Sequence, residues 1–238
     1  MKTRIARRSG TVVIVLAVGV GACYHANTPS AQADSRAISA HFPVDWRFKA
    51  GESGTFAPTA VVASNNALAS AAGDEIMRAG GNAVDAAVAT GFALAVTFPF
   101  AGNLGGGGYM VIRMADGRTA AEDYREIAPL AASRDMYLGP DGKLTDESVV
   151  GYRASGVPGA VAGMSAALAK YGTKSLREVL QPAIRLADEG FVVDSVLFTS
   201  LDHNRDYLER FDGKAVFYPN GEPLQPGTRF PSRRSRAR

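Results

Sequence analysis

In NLGGGGYMVIRMADG, residues 103–117, four consecutive glycines run directly into an apolar stretch. So bare a backbone either cradles an anion with its N–H groups or lets two pieces of main chain approach closely. The neighbours argue against the anion. A P-loop needs Lys-Ser or Lys-Thr after the glycines and then a helix, and the dinucleotide fingerprint also opens a helix. Gly105–Gly108 lead instead into Tyr109, Met110, Val111 and Ile112, which read as a strand. The segments YMVIRM and TAAEDYRE flank Ala-Asp-Gly, whose Asp116-Gly117 pair favours a tight hairpin turn. Two antiparallel strands are therefore expected just after the glycines.

Helices are expected on both sides of this hairpin. In NNALASAAGDEIMRAGG, Leu68, Ala72, Ile76 and Ala79 share one helical face, and Gly80-Gly81 ends the helix. Asn82 then reads as the N-cap of a second helix, with Asp85 in its first turn, and AVDAAVATGFALAV is apolar or small nearly all round until Pro99. A helix without a polar face is a buried helix. Downstream, PGAVAGMSAALAKYG starts with Pro158 near a first helical position and ends at Gly172. SLREVLQPAIRLADEG carries Leu176, Val179, Leu180, Ile184 and Leu186 up to Gly190, with Pro182 expected to split or kink it. The order helix, helix, hairpin, helix, helix predicts an α+β arrangement of helices layered on an antiparallel sheet, not a doubly wound parallel one.

The chain has 238 residues, 46% of them apolar, enough for a sizeable core. Its formal charge of +3 is misleading. Lys2, Arg4, Arg7, Arg8, Arg229, Arg233, Arg234, Arg236 and Arg238 crowd the two ends, and taking those nine from 26 leaves 17 Lys and Arg against 23 Asp and Glu. Residues 34–228 thus carry about −6, and no basic stripe with interleaved aromatics occurs, so a nucleic-acid partner is not expected.

The opening MKTRIARRSGTVVIVLAVGVGAC has a cationic start and an apolar run from Val12 to Ala22, too short to span a bilayer comfortably. Residues 1–23 read as an export signal. Ala31-Gln32-Ala33 fits one type of cleavage site, and Val20-Gly21-Ala22-Cys23 resembles a bacterial lipobox, in which the Cys is lipidated. Cys23 is the only cysteine, so an intramolecular disulfide is impossible and lipid attachment gives the thiol a purpose. The expectation is an exported protein on the periplasmic side, anchored through Cys23 by a polar tether over residues 24–54.

The segments VVASNNALASAAGDEIMRAGGNAVDAAVATGFALAVTFPFAGNLGGGGYM, AEDYREIAP, ASGVPGAVAGMSAALAKYG and SLREVLQPAIRLADEGF, taken in order, closely resemble the gamma-glutamyltransferase (gamma-glutamyltranspeptidase) family. The resemblance implies an N-terminal-nucleophile hydrolase fold, a four-layered αββα sandwich, of which residues 55–228 would form part of the large subunit. It implies a self-cleaving proenzyme that passes the γ-glutamyl group of glutathione or a similar amide to water, an amino acid or a peptide. The nucleophile would be an N-terminal Thr whose own amine acts as base, with no metal or organic cofactor. Arg125, in DYREIAP, matches the family arginine that grips the substrate α-carboxylate, a task suited to a planar guanidinium with two parallel donors. From spacing alone, Asp123, Arg125 and Glu126 read first as a solvated charge cluster on a hairpin, and it is the resemblance that reverses this order. Glu126 would orient or neutralise the arginine. The glycine run becomes a place of close backbone packing near the substrate pocket.

The sequence also departs from the family. The family nucleophile lies in a Thr-Thr-His context, and no such tripeptide occurs here; Thr90, Thr97 and Thr173 have no matching setting. The catalytic nucleophile is thus expected outside these 238 residues, together with the small subunit, and the chain alone is expected to be inactive. PSRRSRAR contrasts with what precedes it, so residues 229–238 read as an anomalous basic tail, from a lost reading frame or as a contact for acidic lipid or another chain. Alternatives to a gamma-glutamyltransferase fragment are a related cephalosporin or glutaryl acylase, a non-catalytic amino-acid or peptide binder using Arg125, and a structural lipoprotein.

Overall fold

A computed structural model describes residues 57–230. The export signal, Cys23, the 24–54 tether, Thr55 and the tail beyond Phe230 lie outside the described residues.

Helix α1 (Ala67–Arg78) begins at Asn66, whose side chain accepts the Leu68 and Ala69 N–H groups. It ends in a Schellman arrangement: Gly80, at φ +86°, donates to Met77 O, and Gly81 donates to Ile76 O. Its buried face is Ala69, Ala72, Gly73 and Ile76, while Leu68 and Ala79, expected on that face, are exposed. The reason is close packing. A Cβ added at Gly73 would fall 2.9 Å from Val62 Cγ1 and 3.0 Å from Ala86 O, so the small-residue side is the one that meets α2 (Ala83–Thr97).

Helix α2 forms the centre of the molecule. Val84, Ala86, Val88, Ala89, Phe92 and Ala93 are all buried, as its lack of a polar face requires. It packs most extensively on α1 and on α4 (Leu176–Glu189) and less on α3 (Ala160–Tyr171). A capping box joins Asn82 and Asp85, and both residues also reach across the fold. Asn82 Nδ2 donates to Tyr171 O at the end of α3, and the Asp85 carboxylate takes the N–H groups of Thr173 and Lys174 at the α3–α4 corner.

Pro182 neither splits nor interrupts α4, which runs unbroken from its own Ser175–Glu178 capping box to Gly190. The ring is buried beside Val179 and Ala183, and this burial offsets the one missing backbone donor. Leu180 and Leu186 pack at the margin of the core, whereas Leu176 and Ile184 are exposed.

The hairpin pairs β1 (Tyr109–Arg113) with β2 (Thr119–Asp123) in antiparallel register, Val111 opposite Ala121. Met110 and Ile112 enter the helical core; Tyr109, Val111 and Arg113 face outward. The connection is one residue longer than a two-residue Asp-Gly turn. Met114 and Arg118 close it, Gly117 donates to Met114 O, and only Gly117 has positive φ (+90°), so Ala115-Asp116 form the turn and Gly117 the bulge. One face of helices on one antiparallel hairpin fits part of the expected sandwich, and this is the only sheet among the described residues. No described helix is long and apolar enough to cross a membrane.

A second cluster, which the sequence pattern had not marked, follows Gly190. Phe191, Val193, Leu197 and Leu201 pack with Tyr218 and Leu224 around α5 (Ser195–His203) and the short α6 (Arg205–Leu208) and α7 (Lys214–Phe217). Arg229, counted in sequence with the terminal basic run, folds back here. Its Nε and Nη2 donate to Glu189 O at 3.0 and 2.9 Å, a cation placed on the carbonyl end of α4.

Candidate functional site

Arg125 leaves the hairpin just beyond β2. Asp123 Oδ1 accepts the Arg125 N–H at 3.0 Å and turns the chain there, while Tyr124 N–H to Gly108 O (3.0 Å) carries the ladder one pair further. Side chains alternate along this extended piece. Tyr124 points inward against the core, where burial pushes its phenol above its ordinary pKa, and Arg125 points outward with 54% of its side chain exposed. Its Cζ lies 6.0 Å from the Tyr109 ring centroid, at the outer reach of a cation–π contact.

Glu126 turns back beneath. Its Oε2, shielded from solvent, sits 3.0 Å from Arg125 Nε, close enough for an ion pair but without hydrogen-bond alignment. Neither Nη1 nor Nη2 of Arg125 donates a hydrogen bond among the described residues. Their edge can offer two parallel donors to a carboxylate of a bound molecule.

Gly107 and Gly108, at the end of the run, are packing glycines, whereas an added Cβ on Gly105 would meet only the Asn103 side chain at 3.4 Å. A Cβ on Gly107 would fall 2.7 Å from Glu126 N and 2.8 Å from Arg125 C; on Gly108 it would fall 3.0 Å from Tyr124 Cε2. From the other side, a Cβ on Gly156 would fall 2.9 Å from Glu126 Cβ, and one on Gly159 would fall 2.9 Å from Tyr124 C. The N–H groups of Gly159 and Ala160 both donate to Gly106 O, at 3.0 and 2.9 Å, and Ile127 bridges to Val157. Residues 124–126 are thus held between the glycine run and the start of α3. The close approach was legible in the run itself, but its second wall, Gly156, Gly159 and Gly163, lies over thirty residues downstream and had no such signal.

Threonines with no nucleophile setting turn out to be structural. Thr90 and Thr97 are buried and donate to Ala86 O and Ala93 O within α2, and the Thr173 hydroxyl donates to Asp85. Two shallow depressions, one around Phe211, Lys214 and Tyr218 and one around Phe100, Ser195 and His203, do not include Arg125. Among the described residues no group of three His, Cys, Asp or Glu could hold a metal ion.

A family model described as gamma-glutamyltranspeptidase matches residues 69–236. The chain is 51% identical over 173 residues to the glutathione hydrolase proenzyme of Escherichia coli (strain K12), covering 70% of this chain and 29% of that protein. It is 48% identical over 178 residues to the acylase ACY 1 proenzyme of Pseudomonas sp. (strain V22), covering 71% and 32%. The solved structure of Helicobacter pylori gamma-glutamyltranspeptidase superposes with a TM-score of 0.70 at 41% identity, over 79% of this chain and 53% of that one. The chain therefore spans about a third of the length of these curated relatives.

Proposed function

The chain belongs to the gamma-glutamyltranspeptidase family, and on that footing we propose that it supplies the substrate-carboxylate grip of a γ-glutamyl-transferring enzyme. Arg125 holds the α-carboxylate of glutathione or another γ-glutamyl compound, and Glu126 restrains the guanidinium. The acyl group passes to water, an amino acid or a peptide, by way of a Thr nucleophile and a small subunit that these 238 residues do not contain. The supporting observation is the outward Arg125, its bidentate edge unengaged and its backbone held on both sides by glycine. The similarity to an acylase proenzyme keeps a related amide substrate as the second reading. A glutaryl group keeps a carboxylate in the place Arg125 would grip and lacks only the α-amino group, so γ-glutamyl and glutaryl amides of one amine, assayed side by side, separate the two readings.

The test joins the chain to the remaining portion of the Escherichia coli relative and follows self-cleavage and γ-glutamyl amide hydrolysis together. Loss of one or two charge-assisted hydrogen bonds, about 1.5–3 kcal/mol each, sets the scale. Arg125→Lys lowers kcat/KM about tenfold or more and Arg125→Ala about a hundredfold or more, with self-cleavage kept. Wild-type hydrolysis by Arg125→Ala refutes the assignment. The export signal and Cys23 support a further element of the reading, a lipid-anchored protein on the periplasmic side. Cys23→Ser should release the protein from the membrane fraction, and an unchanged fraction rules the anchor out.

A further inference from the structure

We propose that Gly163, on the second turn of α3, is a positioning residue for Arg125, acting through the Tyr124 ring; the inference rests on the carboxylate-grip reading above. The ring lies in a slot over α3 whose floor is Gly163. A Cβ added there would fall 2.5 Å from Tyr124 Cδ1 and nearer still to its Cβ and Cγ. Gly159, one turn earlier on the same helix face, meets the Tyr124 carbonyl carbon and Arg125 O in the same way, at 2.9 and 3.1 Å from its added Cβ.

The surroundings fix the backbone that carries the ring. Gly108 and Tyr124 exchange backbone hydrogen bonds, at 3.0 and 3.3 Å, and Asp123 Oδ1 pins the next N–H. Gly159 and Ala160 tie the start of α3 to Gly106, so neither wall can retreat independently. Tyr124 and Arg125 are successive residues of an extended backbone and point to opposite sides, so the depth of the ring sets the height and tilt of the guanidinium. A methyl at position 163 must lift the ring by roughly 1 Å, since close-packed interiors hold no spare volume. Arg125 then moves with it.

The discriminating readout compares two amides that differ only in the group Arg125 holds. The full chain is joined to the remaining portion of the Escherichia coli relative, and kcat/KM is measured for γ-glutamyl-p-nitroanilide and for 4-aminobutyryl-p-nitroanilide, which lacks the α-carboxylate. Arg125→Ala should collapse the ratio of the two; if it does not, the carboxylate-grip reading fails, whatever Gly163 does. Gly163→Ala should lower the ratio about tenfold or more, mainly through KM for the γ-glutamyl substrate, because misplacement by about an ångström costs up to a hundredfold. If Arg125→Ala lowers the ratio but Gly163→Ala slows both substrates equally or neither, Gly163 is only structural and the proposal is wrong. Where Gly163→Ala does not accumulate, Tyr124→Ala empties the slot without a clash and must lower the ratio, while Tyr124→Phe must keep it. A wild-type ratio in Tyr124→Ala overturns the proposal equally.

Discussion

The carboxylate of Asp85, in the first turn of α2, accepts both the backbone N–H of Thr173 at 2.9 Å and its hydroxyl at 2.7 Å, across 88 residues of chain. The same carboxylate takes the N–H groups of Lys174 at 3.0 Å and Asn82 at 2.6 Å, and it is fully buried. One side chain thus closes the N-terminus of the central helix and the corner that launches α4. Asp85→Ala should cost about 3 kcal/mol or more, because it strands several buried donors, and Thr173→Val, which removes only the hydroxyl, about 1 kcal/mol. Urea unfolding of the full chain checks this, and equal midpoints for wild type and Asp85→Ala would refute it.

Acid should expose the same residue. Burial alone would push the Asp85 carboxyl up, but the donors from Lys174, Thr173 and Asn82 outweigh it and hold it below its ordinary value. A depressed folded pKa contributes stability that is complete above the unfolded value, about 3.9, and is lost as pH falls through the lower folded value. The stability difference between wild type and Asp85→Asn should therefore be constant from neutral pH to about pH 5 and shrink below about pH 4. A difference that stays constant down to pH 2 would contradict the depressed pKa.

Two glycines of the hairpin should answer to alanine differently. Gly107 has backbone against it on the Tyr124–Glu126 side, which no rotamer can relieve, so Gly107→Ala should cost about 2 kcal/mol or more. Gly117 stands in open space at φ +90°, and Gly117→Ala should cost only about 1 kcal/mol of backbone strain. Thermal melts of the two variants give the order, and a smaller loss at Gly107 than at Gly117 would show that the strand end can yield.

Asn66 and Asp194 couple two helix starts. Each caps its own helix, α1 or α5, and Asn66 Nδ2 also donates to Asp194 Oδ2 at 3.1 Å, joining the main core to the second cluster. Asn66→Ala and Asp194→Ala should each cost about 1–2 kcal/mol as lost caps. The double variant should fall short of their sum by about 0.5–1.5 kcal/mol, read from urea midpoints. Strict additivity would mean that the bond between the caps is not made in solution.

The helices and the hairpin were legible because their signals are local. Asn82 with Asp85 and Gly80-Gly81 bound the central helices, and the glycines before Tyr109 announce a strand in close contact with something. The errors arose where a neighbour decides. Leu68 yields the buried face of α1 to Gly73 because α2 approaches at Thr90, and Pro182 stays helical because its ring is buried. Asp85 reads in sequence as a first-turn acid, and its partners at residues 173–174 appear only after folding.

The sequence by itself determined the family, the order of the elements from α1 to α4, the layered α+β class and the candidate Arg125, since periodicity, capping residues and motif order all reside in neighbouring positions. Tertiary structure alone decided how Arg125 is presented. The glycines at 156, 159 and 163 meet Tyr124–Glu126 only when α3 docks on the strand end, because steric contact depends on distance in space and a glycine carries no side chain to announce what will lie against it.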